Sequence, residues 1–291
     1  MVVLAAIWGS SFMFARLTVE PFGVLALNAV RSVVASLTLL PIMLWYRQWR
    51  PFLANWKHFI VLGLISTALP FSLITLATQY STAGFASILN SLTPILSAGI
   101  AWVWLKETLS IPAIIGIGLS FGGVLIMITD TQSISADVIF LPVLAGLGAA
   151  FFYALTGNYS RKFIQGIPPI TQATGCQVFS AIFLLPPGLM YWPDHAIPGE
   201  AWGFAFLMGM LCTGIAFILY FYLLKNIGVA RTVIVTYMIP VFGMFWGYLF
   251  LQERITLSMT MGATLILVGI ALTTGMIKGL FRSREKKVYE N

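Results

Sequence analysis

Ten stretches of this chain are apolar for about the length needed to cross a lipid bilayer, and no other feature limits its fold so strongly. A hydrocarbon core about 30 Å thick takes roughly 20 helical residues. The ten stretches cover residues 1–18, 22–45, 59–78, 83–105, 111–129, 138–160, 170–191, 201–224, 229–251 and 257–277. They are continuous rather than alternating, so they read as helices and not as the strands of a barrel. What remains of the 291 residues suffices for short loops and a tail, with no room for a soluble domain. The composition agrees: 59% is hydrophobic and 9% charged, where a soluble domain is nearer about half and a quarter. The net charge of +7 would suggest nucleic acid in a soluble protein, but here the bases sit in short segments between apolar runs. Lipid head groups and topology account for them, and no nucleic-acid partner is expected.

The first run has no basic leader and no small-residue cleavage site, and Arg16 and Glu20 close it. It reads as a retained first helix rather than a signal peptide. The chain starts almost inside that helix, so a few native residues are expected to precede it. With the N-terminus in the cytoplasm, the inner loops hold Arg47, Arg50, Lys57, Lys106, Arg161, Lys162, Lys225 and Arg231, and the tail adds Lys278, Arg282, Arg284, Lys286 and Lys287. Outside stand only Arg16 and Arg254, among the acids Glu20, Asp130, Asp137, Asp194, Glu200 and Glu253. The bias in Lys and Arg therefore places both termini in the cytoplasm, in a multi-pass inner-membrane protein. Trp45, Trp49, Trp56, Trp102, Trp104, Trp192 and Trp202 fall near run ends, as interfacial tryptophans do. Cys176 and Cys212 both lie inside apolar runs and read as small packing residues, with no disulfide, metal or cofactor implied.

The chain also repeats itself. A shift of 146 residues aligns Gly63 with Gly209, Thr67 with Thr213, Phe71 with Phe217, Pro94 with Pro240, Glu107 with Glu253, Gly116 with Gly262 and Gly123 with Gly269. At 145, Trp8 meets Tyr153 and Arg16 meets Arg161. Scattered identities mean little in so biased a composition, but the order of Pro, Leu-x-Glu, Gly and Gly at fixed spacing carries weight. Each half holds an odd number of spans, five, so the second half is expected to enter the membrane upside down. Inverted repeats recur in secondary transporters that bind solute near the midplane. The expected fold is all-α integral membrane, ten transmembrane helices in two inverted five-helix repeats around a central cavity. Residues 1–130 form the first repeat, 131–277 the second, and 278–291 a basic tail.

Leu4-Ala-Ala-Ile-Trp8-Gly9-Ser10-Ser11-Phe12 resembles the first helix of the EamA branch of the drug/metabolite transporter superfamily. Arg31 with its aliphatic run resembles that family's second helix. Pro94 with Leu105-Lys106-Glu107, and again Pro240 with Leu251-Gln252-Glu253, resemble the ends of its fourth and ninth helices. The resemblance spans the whole chain. It implies a carrier of small metabolites, amino acids foremost, whose helices 1, 3, 4, 6, 8 and 9 line the cavity. Arg31 departs from the duplication, because its repeat position falls at Cys176 or Gln177.

Several residues merit weighing singly. Arg31 lies about nine residues into the second helix, roughly 13 Å from its start at 1.5 Å per residue. An intramembrane arginine points to function by default, though bonding to a neighbour's backbone is the more economical reading. Asn28 is one turn away. Pro94 and Pro240 are expected to interrupt helices 4 and 9 near mid-depth and to serve as gating kinks. One turn before them stand Asn90 and Thr236, with Tyr237 adjoining. Trp8 and Ser11 on helix 1, Thr67, Phe71 and Thr75 on helix 3, Tyr153 on helix 6, and Phe217 and Tyr220 on helix 8 complete a candidate wall. Such a mixed aromatic and hydroxyl lining suits an amphiphilic organic solute; ordinary helix packing would use the same residues. Glu107 and Glu253 sit at helix ends and are expected to cap or bind loops there.

No Asp, Glu or His falls mid-span, so the usual proton relay is missing and facilitated transport or exchange is favoured. HExxH and P-loop motifs are also absent. The expected function is transport of small metabolites, chiefly amino-acid export or exchange, by a monomer or dimer in the bilayer, and not enzymatic. The alternatives are a carrier of nucleotide sugars or lipid-linked sugars, which would need a deep basic pocket, and a polytopic membrane enzyme, which would need converging catalytic groups. A receptor is not favoured by an inverted duplication.

Overall fold

A computed structural model of the chain describes residues 1–129, 140–232 and 234–275. Among these, nine helices are long and apolar enough to cross a membrane, and a tenth apolar helix has 17 residues. In chain order they are α1 (Val2–Phe22), α2 (Val24–Trp45), α3 (Trp56–Tyr80), α4 (Ala83–Trp104), α5 (Ile111–Ile128), α6 (Phe140–Phe163), α7 (Pro169–Met190), α8 (Gly199–Tyr220), α9 (Ile234–Leu251) and α10 (Leu257–Thr273). A short helix, Trp49–Ala54, lies between α2 and α3. Asp130, Asp137, the junction at 130/131 and the basic tail fall outside the described residues.

Boundaries moved where local chemistry overrode the apolar pattern. The first helix runs past Glu20 and Pro21 to Phe22 and turns at the single residue Gly23, whose φ of 73° only glycine adopts without cost. After Tyr220 the helix continues to Thr232, where a loop near residue 225 was expected. Gly228 breaks it with φ 78°, so that α9 is approached from a new helical start.

Pro94 interrupts α4 as expected. Ser91 and Leu92 flatten to ψ −12° and −7°, and a second segment, Thr93–Trp104, begins there. The Ser91 and Thr93 hydroxyls donate to the carbonyls of Ile88 and Asn90, at 2.6 and 2.7 Å. Asn90 is the residue whose carbonyl the proline ring leaves without its amide donor. Pro240 behaves differently: it sits inside the single helix Ile234–Leu251 and does not split it. The positions matching Ser91 and Thr93 are Tyr237 and Ile239, which have no short hydroxyl to turn back on the chain.

Both Leu-x-Glu motifs end their helices alike. Lys106 and Gln252 are left-handed, with φ 60° and 53°. The amides of Glu107 and Glu253 each donate to the carbonyl six residues back, at 3.2 and 3.1 Å. A left-handed non-glycine residue costs about 1–2 kcal/mol, so each turn needs support from the contacts of its glutamate. Glu253 reaches across to α4, accepting from the Ala83 amide at 2.7 Å and the Gly84 amide at 3.2 Å. The carboxylate thereby caps a helix N-terminus, where negative charge is favoured. Burial holds the Glu253 carboxyl above its ordinary range, an effect that the two amides and Arg16 offset only in part. Glu107 instead pairs with Arg161 at an exposed position.

Packing is tightest where glycines meet. In α5 and α10 a side chain on Gly116 would strike the Gly269 carbonyl, and one on Gly269 the Gly116 carbonyl. One turn or two along, a Cβ on Gly123 would lie 2.7 Å from the Gly262 carbonyl and one on Gly262 2.6 Å from that of Gly123. The two helices therefore cross antiparallel through small residues, which let backbones approach closely. Elsewhere α2 packs on α7, α1 on α9, and α3 on α6. Two π-helical segments, Gly63–Ala68 in α3 and Met210–Ile215 in α8, occupy matching places in the two halves.

Candidate functional site

Arg31 is 4% exposed, a cation in the middle of a membrane helix. Its Nε donates to Thr213 Oγ1 at 3.0 Å. That hydroxyl donates in turn to the Met208 carbonyl at 3.0 Å, a carbonyl five residues back within the π-helical register of α8. The guanidinium carbon lies 3.5 Å from the centre of the Phe71 ring, a cation–π contact. Tyr153 and Cys212 are within its electrostatic reach. A missing side chain permits this approach: a Cβ on Gly209 would lie 2.7 Å from Val34 Cβ and 2.9 Å from the Arg31 carbonyl. Among the described residues only Nε has an acceptor, and the terminal nitrogens have none.

A second group adjoins it. Trp8 meets Phe217 edge-on with ring centres 6.4 Å apart, and Tyr220 at 5.5 Å. Trp8 and Tyr153 pack on one cluster of Phe12, Ile74 and Ile239. The structure thus brings Trp8, Arg31, Phe71, Tyr153, Phe217 and Tyr220 into one neighbourhood shared by five helices. Thr75, fully buried, receives a 2.9 Å hydrogen bond from Asn28 Nδ2, while Asn28 Oδ1 is buried without a partner.

Other candidates lie apart. The Tyr237 hydroxyl donates to Thr274 Oγ1 at 2.8 Å, and its ring packs on the cluster of Leu89, Val124 and Ile266 between α4, α5 and α10. Thr236 precedes it on α9. Asn90 Oδ1 is buried and unpartnered, and Thr67 is buried with its hydroxyl 3.1 Å from that of Ser66. Ser11 is buried, yet its neighbour Ser10 is the one that faces α8, 3.5 Å from Cys212 Sγ. Cys176 and Cys212 are both free and buried.

One residue escaped sequence reasoning. Gln177, at the repeat position of Arg31, is 0% exposed, and both its carboxamide atoms lack a hydrogen-bond partner. Burying an unpaired amide costs about 1–3 kcal/mol. The repeat alignment marked the position, but only as a departure.

The chain is similar to known proteins along its whole length. An uncharacterized transporter of Bacillus subtilis, YvbV, is 25% identical over 274 residues, covering 92% of this chain and 88% of the relative. An uncharacterized transporter of Archaeoglobus fulgidus is 26% identical over 273 residues, covering 92% and 93%. A solved crystal structure shares the fold with a TM-score of 0.68 at 17% identity, covering 94% of this chain and 95% of that one. The model of the EamA-like transporter family matches residues 1–129 and again 140–275. Ten apolar helices with these matches leave one conclusion: the chain belongs to the EamA-like transporter family.

Proposed function

We propose that this transporter carries amino acids and similar small zwitterions across the inner membrane, in export or exchange, by alternating access. The observation that carries the reading is Arg31, a buried guanidinium with its Nε committed and its terminal nitrogens without acceptors. A carboxylate fits two such nitrogens. The rings of Trp8, Phe217 and Tyr220 offer π faces to an ammonium and apolar area to a side chain, at about 25 cal/mol per Å². One base suits a single carboxylate better than a sugar diphosphate.

Counterflow in proteoliposomes across a panel of amino acids tests this. Accelerated exchange is expected for those with apolar side chains. Trp8→Ala is expected to shift the preference toward larger solutes, since apolar contact discriminates a methylene by about 1–3 kcal/mol. Exchange of sugar phosphates but of no amino acid would overturn the reading, and uniform loss in Trp8→Ala would assign the ring to packing.

The two halves are read as inverted repeats. Support comes from α5 and α10, repeat mates that cross antiparallel through reciprocal contacts, Gly116 with Gly269 and Gly123 with Gly262. Both termini are assigned to the cytoplasm on the Lys and Arg distribution. A reporter fused after Asn291 should then label from the cytoplasm and one at Asp194 from outside. Labelling of both from one side would sink the topology.

A further inference from the structure

Glu253 and Glu107 stand 146 residues apart, on identical left-handed helix ends, yet do different things. Glu253 holds the first two amides of α4, at Ala83 and Gly84. The same offset from those two residues gives Val229 and Ala230, the first residues after the break at Gly228. They stand to Glu107 as Ala83 and Gly84 stand to Glu253, but Glu107 is turned to Arg161 at the surface.

The arginines differ in the same sense. Arg16 donates to the carbonyls of Thr78 and Gln79, at 2.9 and 2.6 Å, tying α1 to the end of α3 beside Glu253. Its mate Arg161 is the partner of Glu107. Packing obeys the same division. Residues 83–89 of α4, next to Glu253, are all buried, whereas in Thr93–Trp104 only Ile95 and Ala101 are. A Cβ on Gly99 would meet nothing within 4 Å. Deeper in, Arg31 bonds Thr213, while the matching pair, Gln177 and Thr67, is unmade and Gln177 is left orphaned. The halves therefore hold two different conformations of one sequence pattern.

We propose that Glu253 and Glu107 are alternating end latches. The structure has the Glu253 latch closed; in the opposite conformation Glu107 closes on the amides of Val229 and Ala230, and Glu253 releases α4. The exchange keeps the number of carboxylate–amide bonds constant, so opening one end is offset by closing the other. This rests on the alternating-access reading above, but its test needs no solute. With the assigned topology, the closed end is the outer one.

Spin-label pairs at Tyr80 with Arg254 and at Asn226 with Thr108 report the two ends, and they are themselves repeat mates. They would be placed in the full chain, with Cys176 and Cys212 replaced by alanine, and read by double electron–electron resonance without substrate. Glu253→Gln keeps one acceptor and turns a donor toward the second amide. It is expected to lengthen the Tyr80–Arg254 distance and shorten the Asn226–Thr108 distance. Ala83→Pro removes one latch donor at a helix start, where proline is tolerated, and should shift both distances the same way. The double variant Glu107→Gln with Glu253→Gln should move back toward the wild-type distribution. Unchanged distances in both Glu253→Gln and Ala83→Pro, or a shift of the same sense at both ends, would overturn the latch. Failure of amino-acid counterflow with these shifts present would overturn the substrate reading alone.

Discussion

Arg31→Lys is expected to lower transport roughly ten- to a hundredfold while the protein still folds. A hydrogen bond to a charged group is worth about 1.5–3 kcal/mol, and each 1.4 kcal/mol is about tenfold in rate. In the proposed role the guanidinium does three things at once: it bonds Thr213 through Nε, sits 3.5 Å from the centre of the Phe71 ring, and offers its terminal nitrogens to a carboxylate. An ammonium has three donors at one point and no plane, so it can bond Thr213 or meet a carboxylate but not hold both geometries. Thr213→Val should cost less, because Arg31 keeps its contact with Phe71. Initial counterflow rates, normalised to folded protein by size-exclusion profile, check both. Wild-type transport in Arg31→Lys would remove Arg31 from solute binding. Equal loss of folded protein and of transport would make it a structural peg between α2 and α8.

Gly116→Val and Gly269→Val are expected to deplete folded protein far more than any change at the aromatic wall. Overpacking a buried contact costs about 1–3 kcal/mol, and here the new atoms meet backbone carbonyls that cannot rotate away. Gly118 and Gly122 provide the control on the same helix, since a Cβ there meets nothing within 4 Å. Gly118→Ala and Gly122→Ala should melt at or above the wild-type temperature, because alanine favours a helix by up to about 1 kcal/mol over glycine. Thermal unfolding in detergent reads all four. Similar melting of Gly116→Val and Gly118→Ala would show that the α5–α10 crossing carries little of the stability.

What the sequence made legible was whatever depends on residues near each other in the chain. The ten apolar runs, the break at Pro94 and the helix ends at Leu-x-Glu are local, and each arises from solvation or backbone chemistry. Pro240 misled because an unbroken helix and a broken one differ by whether nearby hydroxyls capture freed carbonyls. Thr93 does so for Asn90 in α4, and Ile239 stands in its place in α9. Arg31 could be singled out for its cost in lipid, but its partner Thr213 lies 182 residues away. Tyr237 looked like a wall residue from its place beside Pro240; its hydroxyl goes to Thr274 because α10 passes there. Gln177 carries no signal except its position in the repeat, since a buried orphan amide is a property of surroundings.

The π-helical segment Met210–Ile215 sets an angular constraint on everything after it. Helical residues succeed one another by about 100° at 3.6 per turn, and a π turn accommodates one residue more than an α turn. If that segment were wound as regular α-helix at unchanged length, the chain beyond it would be turned by about that angle. Phe217 and Tyr220 would then face away from Trp8, although no contact residue had been altered. The segment is thus a phase-setting element: the winding of the chain between Gly209 and Ala216, as much as the identity of the rings, decides what Trp8 touches.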